Sequence, residues 1–351
     1  MGDYAKNKGA GKMLNIGVIG YGYWGPNVAR NFHAAAGANL VAVSDISEKR
    51  LALAQNQFPF IKGLKNPMDL IRSVDVDAVA IVTPVFAHHE MAKEALLAGK
   101  HIFVEKPFTS TSAQARELID LAAKKGLKIM VDHTFLFTGA VKKIKEVIDS
   151  GEMGNLLFYD SVRINLGLFQ HDINVIWDLA PHDLSIMAHV IDKKPVALTA
   201  LGSAHFESNY EDIAYVSIEF EGNGFIAHFH VNWLSPVKIR QTLISGDKKM
   251  LVWDDLNPDE KVKIYDRGVE VKSANGGKNG IHELLISYRS GDVHIPKLEA
   301  SEALKAEAQY FVECIEKNQE PFNDGQAGLQ IVRLLEAADE SIKNSGKRIE
   351  L

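Results

Sequence analysis

Lys106 stands in VEKPF, directly after an apolar run that ends at Glu105. A lysine at a strand end can donate a proton to a reacting hydroxyl or hydrogen-bond it. Asp178 and His182 stand four apart in NVIWDLAPHDLSIMAHV. A helix sets both on one face, where His182 can remove a hydroxyl proton and Asp178 can orient the imidazole. Pro181 is expected to start or kink that helix, leaving Asp178 in its first turn or just before it. Taken singly, these are also an ordinary surface lysine beside a turn proline and an ordinary surface carboxylate–imidazole pair.

Gly20, Gly22 and Gly25 form G-x-G-x-x-G in LNIGVIGYGYWGPNVARNF, between an apolar run and a helical pattern. The first glycine allows a tight turn, the second lets the backbone approach a pyrophosphate, and the third allows close helix–strand packing. The helix N-terminus then offers N–H groups and partial positive charge to phosphates. Asp45 ends the next apolar run, where a carboxylate reaches the adenosine ribose hydroxyls. That carboxylate would repel a 2′-phosphate by roughly 4 kcal/mol at contact under an effective dielectric of about 20. Lys49 and Arg50 fall in the following helix. NAD is expected over NADP.

The 351 residues suit two domains, and 46% apolar with 24% charged residues suits a soluble globular chain. A formal charge of -6 without a long basic run argues against nucleic acid as a partner. No apolar stretch reaches the roughly 18 residues of a membrane span. Residues 1–12 carry charges without an apolar core and read as a tail. The single cysteine, Cys314, borders the helical face of Leu304, Ala308, Phe311 and Ile315 and reads as a packing residue. One cysteine suits a reducing compartment, so a cytoplasmic protein is expected. His88-His89-Glu90 has no zinc spacing and no HExxH occurs, so no metal is expected. His228 and His230 share one strand face, as polar sheet residues or in a subunit contact.

The elements that must position these groups change character along the chain. From 13 to about 134, the runs LNIGVIG, NLVAVSD, DAVAIVTP, KHIFVEKP and LKIMVDH alternate with helical patterns. Such runs fit a parallel sheet buried on both faces. Helices are expected over 87–98 and from Thr111, where Thr111 and Gln114 form a capping box, to Gly126. After VKKIKEVIDSGEMGN the period becomes two, with Phe158, Val162 and Ile164 set against Tyr159, Ser161, Arg163 and Asn165. EGNG marks a hairpin within AYVSIEFEGNGFIAHFHVNW. Further strands are expected near 196–203, 239–246, 249–253 and 261–272, and helices over 174–191, 300–317 and 325–343. The fold expected is α/β. A doubly wound parallel sheet comes first, then an α+β domain with an open, mostly antiparallel sheet.

The segments GVIGYGYWGPNVARNF, VSDIS, VTPVFAHHEMAKEALLAGKHIFVEKPFT, WDLAPHDLSI and DGQAGLQIVRLLEAADESIKNSG follow in order. With them the chain resembles the glucose–fructose oxidoreductase/inositol dehydrogenase (Gfo/Idh/MocA) family from about 13 to 346. The resemblance implies a Rossmann domain (13–134) and a substrate-binding and oligomerisation domain (135–351). It implies oxidation of a sugar or polyol hydroxyl, or reduction of the ketone, with NAD or NADP. It carries the catalytic roles onto Lys106, Asp178 and His182, and it suggests a homodimer or homotetramer through the open sheet. Besides the glycines and Asp45, cofactor contacts are then expected from Tyr23, Trp24, Thr83, Pro84, His88 and Glu105. Many members carry an Asn-x-Arg-Phe-like segment where this chain has DHTFLF, which puts His133 beside the substrate. Arg163 can meet a phosphate or carboxylate or lie in the subunit contact. Asn174 and Trp177 can hydrogen-bond or stack on a sugar. GYWGPN and PHDLSI resemble members of sugar-nucleotide pathways, so a nucleotide sugar is the expected substrate. A free sugar or polyol is the alternative, and a non-catalytic NAD and sugar sensor is a second.

Overall fold

The computed structural model describes residues 13–167, 173–206, 210–222, 224–273 and 284–351. The expected tail (1–12) and Asn223 of the EGNG turn lie outside the described residues. The chain begins β1 (Leu14–Ile19), α1 (Gly25–Ala34), β2 (Ala38–Ser44), α2 (Glu48–Gln57), β3 (Lys62–Leu64) and α3 (Pro67–Ile71). It continues with β4 (Ala78–Ile81), α4 (Val85–Leu97), β5 (His101–Glu105), α5 (Ser112–Lys125) and β6 (Ile129–Asp132). After a 3₁₀ turn at Thr134–Phe137 come α6 (Gly139–Asp149), β7 (Leu156–Leu166), α7 (Val175–Val190), β8 (Pro195–Ser203), β9 (Ile213–Phe220) and β10 (Ile226–Asn232). Next are β11 (Leu234–Gly246), β12 (Met250–Asp254), β13 (Val262–Tyr265), β14 (Gly268–Ser273), β15 (Leu284–Arg289) and β16 (Val293–His294). The chain closes with α8 (Ala303–Glu316), α9 (Gly325–Lys343) and β17 (Ile349–Glu350). Among the described residues no helix is long and apolar enough to cross a membrane.

Two compact units divide the chain. The first holds the residues up to Thr134 together with Glu302–Leu329. Its six strands run parallel in the order β3-β2-β1-β4-β5-β6. The strand order reverses between β1 and β4, whose C-terminal ends therefore flank the crevice where such sheets bind ligands. Ile16, Val18, Ala78, Ala80, Ile102 and Val104 are closed to solvent, as two covered faces require. β3 escapes sequence reading because KGL is three residues long and carries one large apolar side chain. Residues 302–329 pack in this unit rather than with the rest of the second half. The reason is an aromatic trio: Phe311 of α8 meets Phe32 of α1 and Phe103 of β5, each at 5.8 Å between ring centres. Cys314 is buried in the same cluster.

The second unit holds Phe135–Ser301 and Gln330–Leu351. Its nine-stranded sheet runs β16-β13-β12-β11-β7-β10-β9-β8-β17, with β10 and β7 parallel and the other pairs antiparallel. The expected strand 261–272 is two strands, because β14 leaves this sheet to pair with β15. On β7 the period of two holds, but Tyr159, Ser161 and Arg163 are the buried set, while Phe158 and Val162 are half-buried on the other face. Polar groups of α7 permit this phase: Asp183 receives the Arg163 guanidinium, and its backbone carbonyl accepts from the Tyr159 hydroxyl.

Candidate active site

The turn after β1 is built by close approach. Gly20 has φ +95°, and a Cβ there would lie 2.3 Å from the Val82 carbonyl oxygen at the end of β4. A Cβ on Gly25 would lie 2.3 Å from the Gly20 carbonyl oxygen. Gly22 differs, since a Cβ there would meet only the Arg50 guanidinium, at 3.9 Å. Protein packing explains Gly20 and Gly25, while the room beside Gly22 suits close approach of a ligand to the backbone. Trp24, at the N-cap of α1, supplies no side-chain cap; Pro26 has no N–H and the Asn27 N–H is bonded to the Trp24 carbonyl (2.9 Å), so it is Gly25 that can offer a helix N–H to an anion. These residues fit a dinucleotide pyrophosphate.

Asp45 is buried, and its two oxygens accept the Tyr21 N–H (2.7 Å) and the Ser47 N–H (2.8 Å). It therefore shapes the turn, and each oxygen keeps a lone pair for a ribose hydroxyl. Arg50, set aside on sequence because it lies in α2, reaches back to 3.7 Å from this carboxylate. Only the fold reveals that contact. Tyr23 is 91% exposed, while the Trp24 indole donates to Asp132 at the end of β6 (3.0 Å).

Thr83, Glu105, Lys106 and His133 stand at the C-terminal ends of β4, β5 and β6, and Pro84 occupies the N-cap of α4. Thr83, Glu105 and Lys106 are half-buried. The Lys106–Pro107 peptide is cis. His88 corrects an expectation. Its ring is 1% exposed and both nitrogens face backbone carbonyls, Pro107 O at 2.9 Å and Thr83 O at 2.7 Å, so it offers no group to a cofactor. Burial lowers its pKa, opposed by those carbonyls and reinforced by the charge of Lys106. His133 is 2% exposed, and neither ring nitrogen has a hydrogen-bond partner among the described residues. Burial pushes its pKa down to about 4, with Lys106 adding to the shift, so the ring is neutral at pH 7.

Behind these strand ends lies a network that the sequence did not disclose. The Thr134 hydroxyl is within hydrogen-bond reach of both Asp132 and Glu307 of α8, and the Asn323 amide donates to Glu307 (3.0 Å). Glu307 is fully buried, and burial with the neighbouring Asp132 holds its carboxyl well above the usual range. A single hydroxyl proton cannot serve both carboxyl groups, so a protonated Glu307 completes the chain of donors. Through Asp132, this network also anchors Trp24 of the glycine turn.

In the second unit α7 is one helix from Val175 to Val190, with Pro181 inside it and Asp178 in its first turn. Asp178 and His182 share a face and are half-buried. Asp178 accepts from the Trp233 indole (3.0 Å), and the His182 ring meets Phe135 edge-on at 5.0 Å. The side chains expected to contact substrate are committed elsewhere. Arg163 is 3% exposed, grips Asp183 through Nε (2.6 Å) and Nη2 (2.9 Å), and lies 4.7 Å over the Phe135 ring. It meets neither an external phosphate nor a second subunit. Asn174 caps α7 by accepting from Ile176 and Trp177 N–H, and its amide donates to Glu211 (2.9 Å) and Asp339 (3.0 Å). The Trp177 indole donates to Asp339 as well (2.9 Å). Both are buried, so the polar groups of Asn174 and Trp177 hold α7 to α9.

Comparison with known proteins bears on the same regions. Residues 14–133 match the sequence model of an oxidoreductase family with an NAD-binding Rossmann fold, and 141–252 match the GFO/IDH/MocA C-terminal domain. A UDP-N-acetylglucosamine 3-dehydrogenase of Acidithiobacillus ferrooxidans is 28% identical over 330 residues, 91% of this chain and 94% of that protein. A scyllo-inositol 2-dehydrogenase (NAD(+)) of Bacillus subtilis is 25% identical over 323 residues, 88% of this chain and 86% of that one. The crystal structure of an Agrobacterium radiobacter oxidoreductase in complex with NAD+, L-tartaric acid and magnesium superposes with TM-score 0.79 at 20% identity, covering 96% of this chain and 98% of that chain.

Proposed function

Because the chain belongs to the Gfo/Idh/MocA family of NAD-binding oxidoreductases, we propose that it transfers hydride between a sugar ring hydroxyl, or its ketone, and nicotinamide. We propose a nucleotide sugar as the substrate. The observation that carries the hydride reading is the open Gly22 backbone at the uncapped start of α1, with Asp45 beside the same turn. The nucleotide sugar is supported by the UDP-N-acetylglucosamine 3-dehydrogenase relative across 91% of this chain. Arg163 lends it no support, since Asp183 closes its guanidinium. The scyllo-inositol dehydrogenase relative favours a second reading, a free polyol.

Bound on the turn, NAD supplies the hydride acceptor. Gly20, Gly22, Gly25 and the start of α1 would hold the pyrophosphate, Asp45 would hold the ribose hydroxyls, and Thr83, Pro84 and Glu105 would serve the nicotinamide half. Lys106 stabilises the alkoxide that develops on the substrate, and His182 takes the hydroxyl proton, oriented by Asp178. The exchanged assignment, Lys106 as proton acceptor, is the alternative. Acid–base help of this kind supplies about 10²–10⁴-fold, and positioning must supply the rest. The second unit also supports assembly into a homodimer or homotetramer. One face of its sheet carries half-buried Phe158 and Val162, exposed Ile226, and Tyr215 stacked on His230 at 4.4 Å.

The test is nicotinamide absorbance with NAD, then NADP, against UDP- and GDP-sugars, free sugars and polyols, with an amine to trap the ketone. Reduction with nucleotide sugars is the expected result. Reduction with polyols alone selects the second reading. NADH binding without turnover across the whole panel indicates a sensor.

A further inference from the structure

His88 closes the first turn of α4 and is only 1% exposed, yet its ring bridges the ends of β4 and β5. Its Nε2 meets the carbonyl of Thr83, the residue two beyond β4, at 2.7 Å. Its Nδ1 meets the carbonyl of Pro107, directly after Lys106, at 2.9 Å. Carbonyl oxygens only accept, and a neutral imidazole carries one N–H, so the ring donates to one of these carbonyls and is held in close contact with the other. The imidazole thus stands between the backbone that carries Lys106 and the backbone that carries Thr83, hydrogen-bonded to one and wedged against the other. Pro107 itself has no N–H with which to tie this stretch to a neighbouring strand. An isolated buried imidazole could have been an apolar filler, but a backbone carbonyl at each ring nitrogen makes it a spacer that sets the distance between the two strand ends.

We propose that His88 is a positioning residue, which fixes the main chain on either side of the reaction centre so that Lys106 is held at one setting against the groups that follow β4. This rests on the reading of Lys106 as a group that acts on the substrate hydroxyl. The imidazole reaches no solvent, so it acts through Lys106 and touches neither substrate nor cofactor.

The experiment is a double-substitution cycle on the full chain, with NADH binding and the melting temperature followed alongside turnover. His88→Phe fills the site without a donor, and His88→Gln restores an N–H donor on a side chain that can reach either carbonyl. His88→Met replaces His88→Phe if the latter does not fold. His88→Phe should lower kcat by about 10–100-fold, the range that misplacement of a reacting group by an ångström produces, with KM and the NADH Kd changed less than about threefold. His88→Gln should recover most of that loss. In a Lys106→Ala background, His88→Phe should change turnover by less than about twofold, since coupled residues are not additive. Equal loss in both backgrounds, or wild-type turnover in His88→Phe, overturns the proposal and leaves the Lys106 reading standing. Near-normal turnover in Lys106→Ala alone overturns both.

Discussion

The glycine turn of the first unit and the start of α7 in the second are both loops that enter helices, and both carry residues that look functional in sequence. They resolve differently. At the turn, Gly20 and Gly25 act through backbone shape, and their close neighbours are the Val82 carbonyl after β4 and the carbonyl of Gly20 itself. At α7, Asn174 and Trp177 act through side chains, and their partner Asp339 lies 165 and 162 residues further along. A motif that works by local backbone geometry declares its purpose. A polar side chain near a suspected site declares only that it needs a partner, and a distant carboxylate serves as well as a substrate.

The largest expected effect tests the second half of this contrast. Arg163→Met leaves Asp183 buried and unpaired, and breaking such a pair costs about 3–5 kcal/mol. A melting curve should show that loss. A phosphate-binding arginine would instead raise KM and leave the melt unchanged. Next is pH. His133 is neutral when folded, with a pKa lowered to about 4, and binds a proton more readily when unfolded. Its contribution is present above about pH 6.5 and is lost as pH falls through about 4, to a limit of about 3 kcal/mol. Denaturant titrations at pH 7.5 and 5 should show the loss, and His133→Phe should reduce it. Glu307 runs the other way. Its raised folded pKa means stability is lost as pH rises from the ordinary carboxyl range, so Glu307→Gln should flatten the alkaline side.

Smaller effects sharpen the first half. Gly22→Ala meets little protein, so its melting temperature should stay near wild type while the NAD Kd rises about tenfold, roughly 1.4 kcal/mol. A large loss of stability there would mean that Gly22 also serves packing. Asn174→Ala should cost about 1 kcal/mol of stability as a lost cap, with KM for the sugar unchanged. A raised KM at full stability would return Asn174 to the substrate.

Legibility in the sequence follows the same division. The parallel sheet was readable because its strands are apolar on both faces, and Gly126 ends α5 with φ +66° as a helix-stopping glycine does. The β7 period was readable, but its phase was not, because Arg163 and Tyr159 look polar until Asp183 is brought against them. The membership of α8 was hidden because Phe311 meets Phe32 and Phe103 only in the folded chain. His88 was expected at the cofactor from the family resemblance, and in the fold its ring is enclosed between two backbone carbonyls.

The most direct test of the central claim is to measure NAD binding and turnover on one preparation of Lys106→Ala, with the best substrate of the panel. The prediction is an NAD Kd within about threefold of wild type and a kcat lowered by at least about a hundredfold. A kcat near wild type would contradict the claim that Lys106 acts on the reacting hydroxyl.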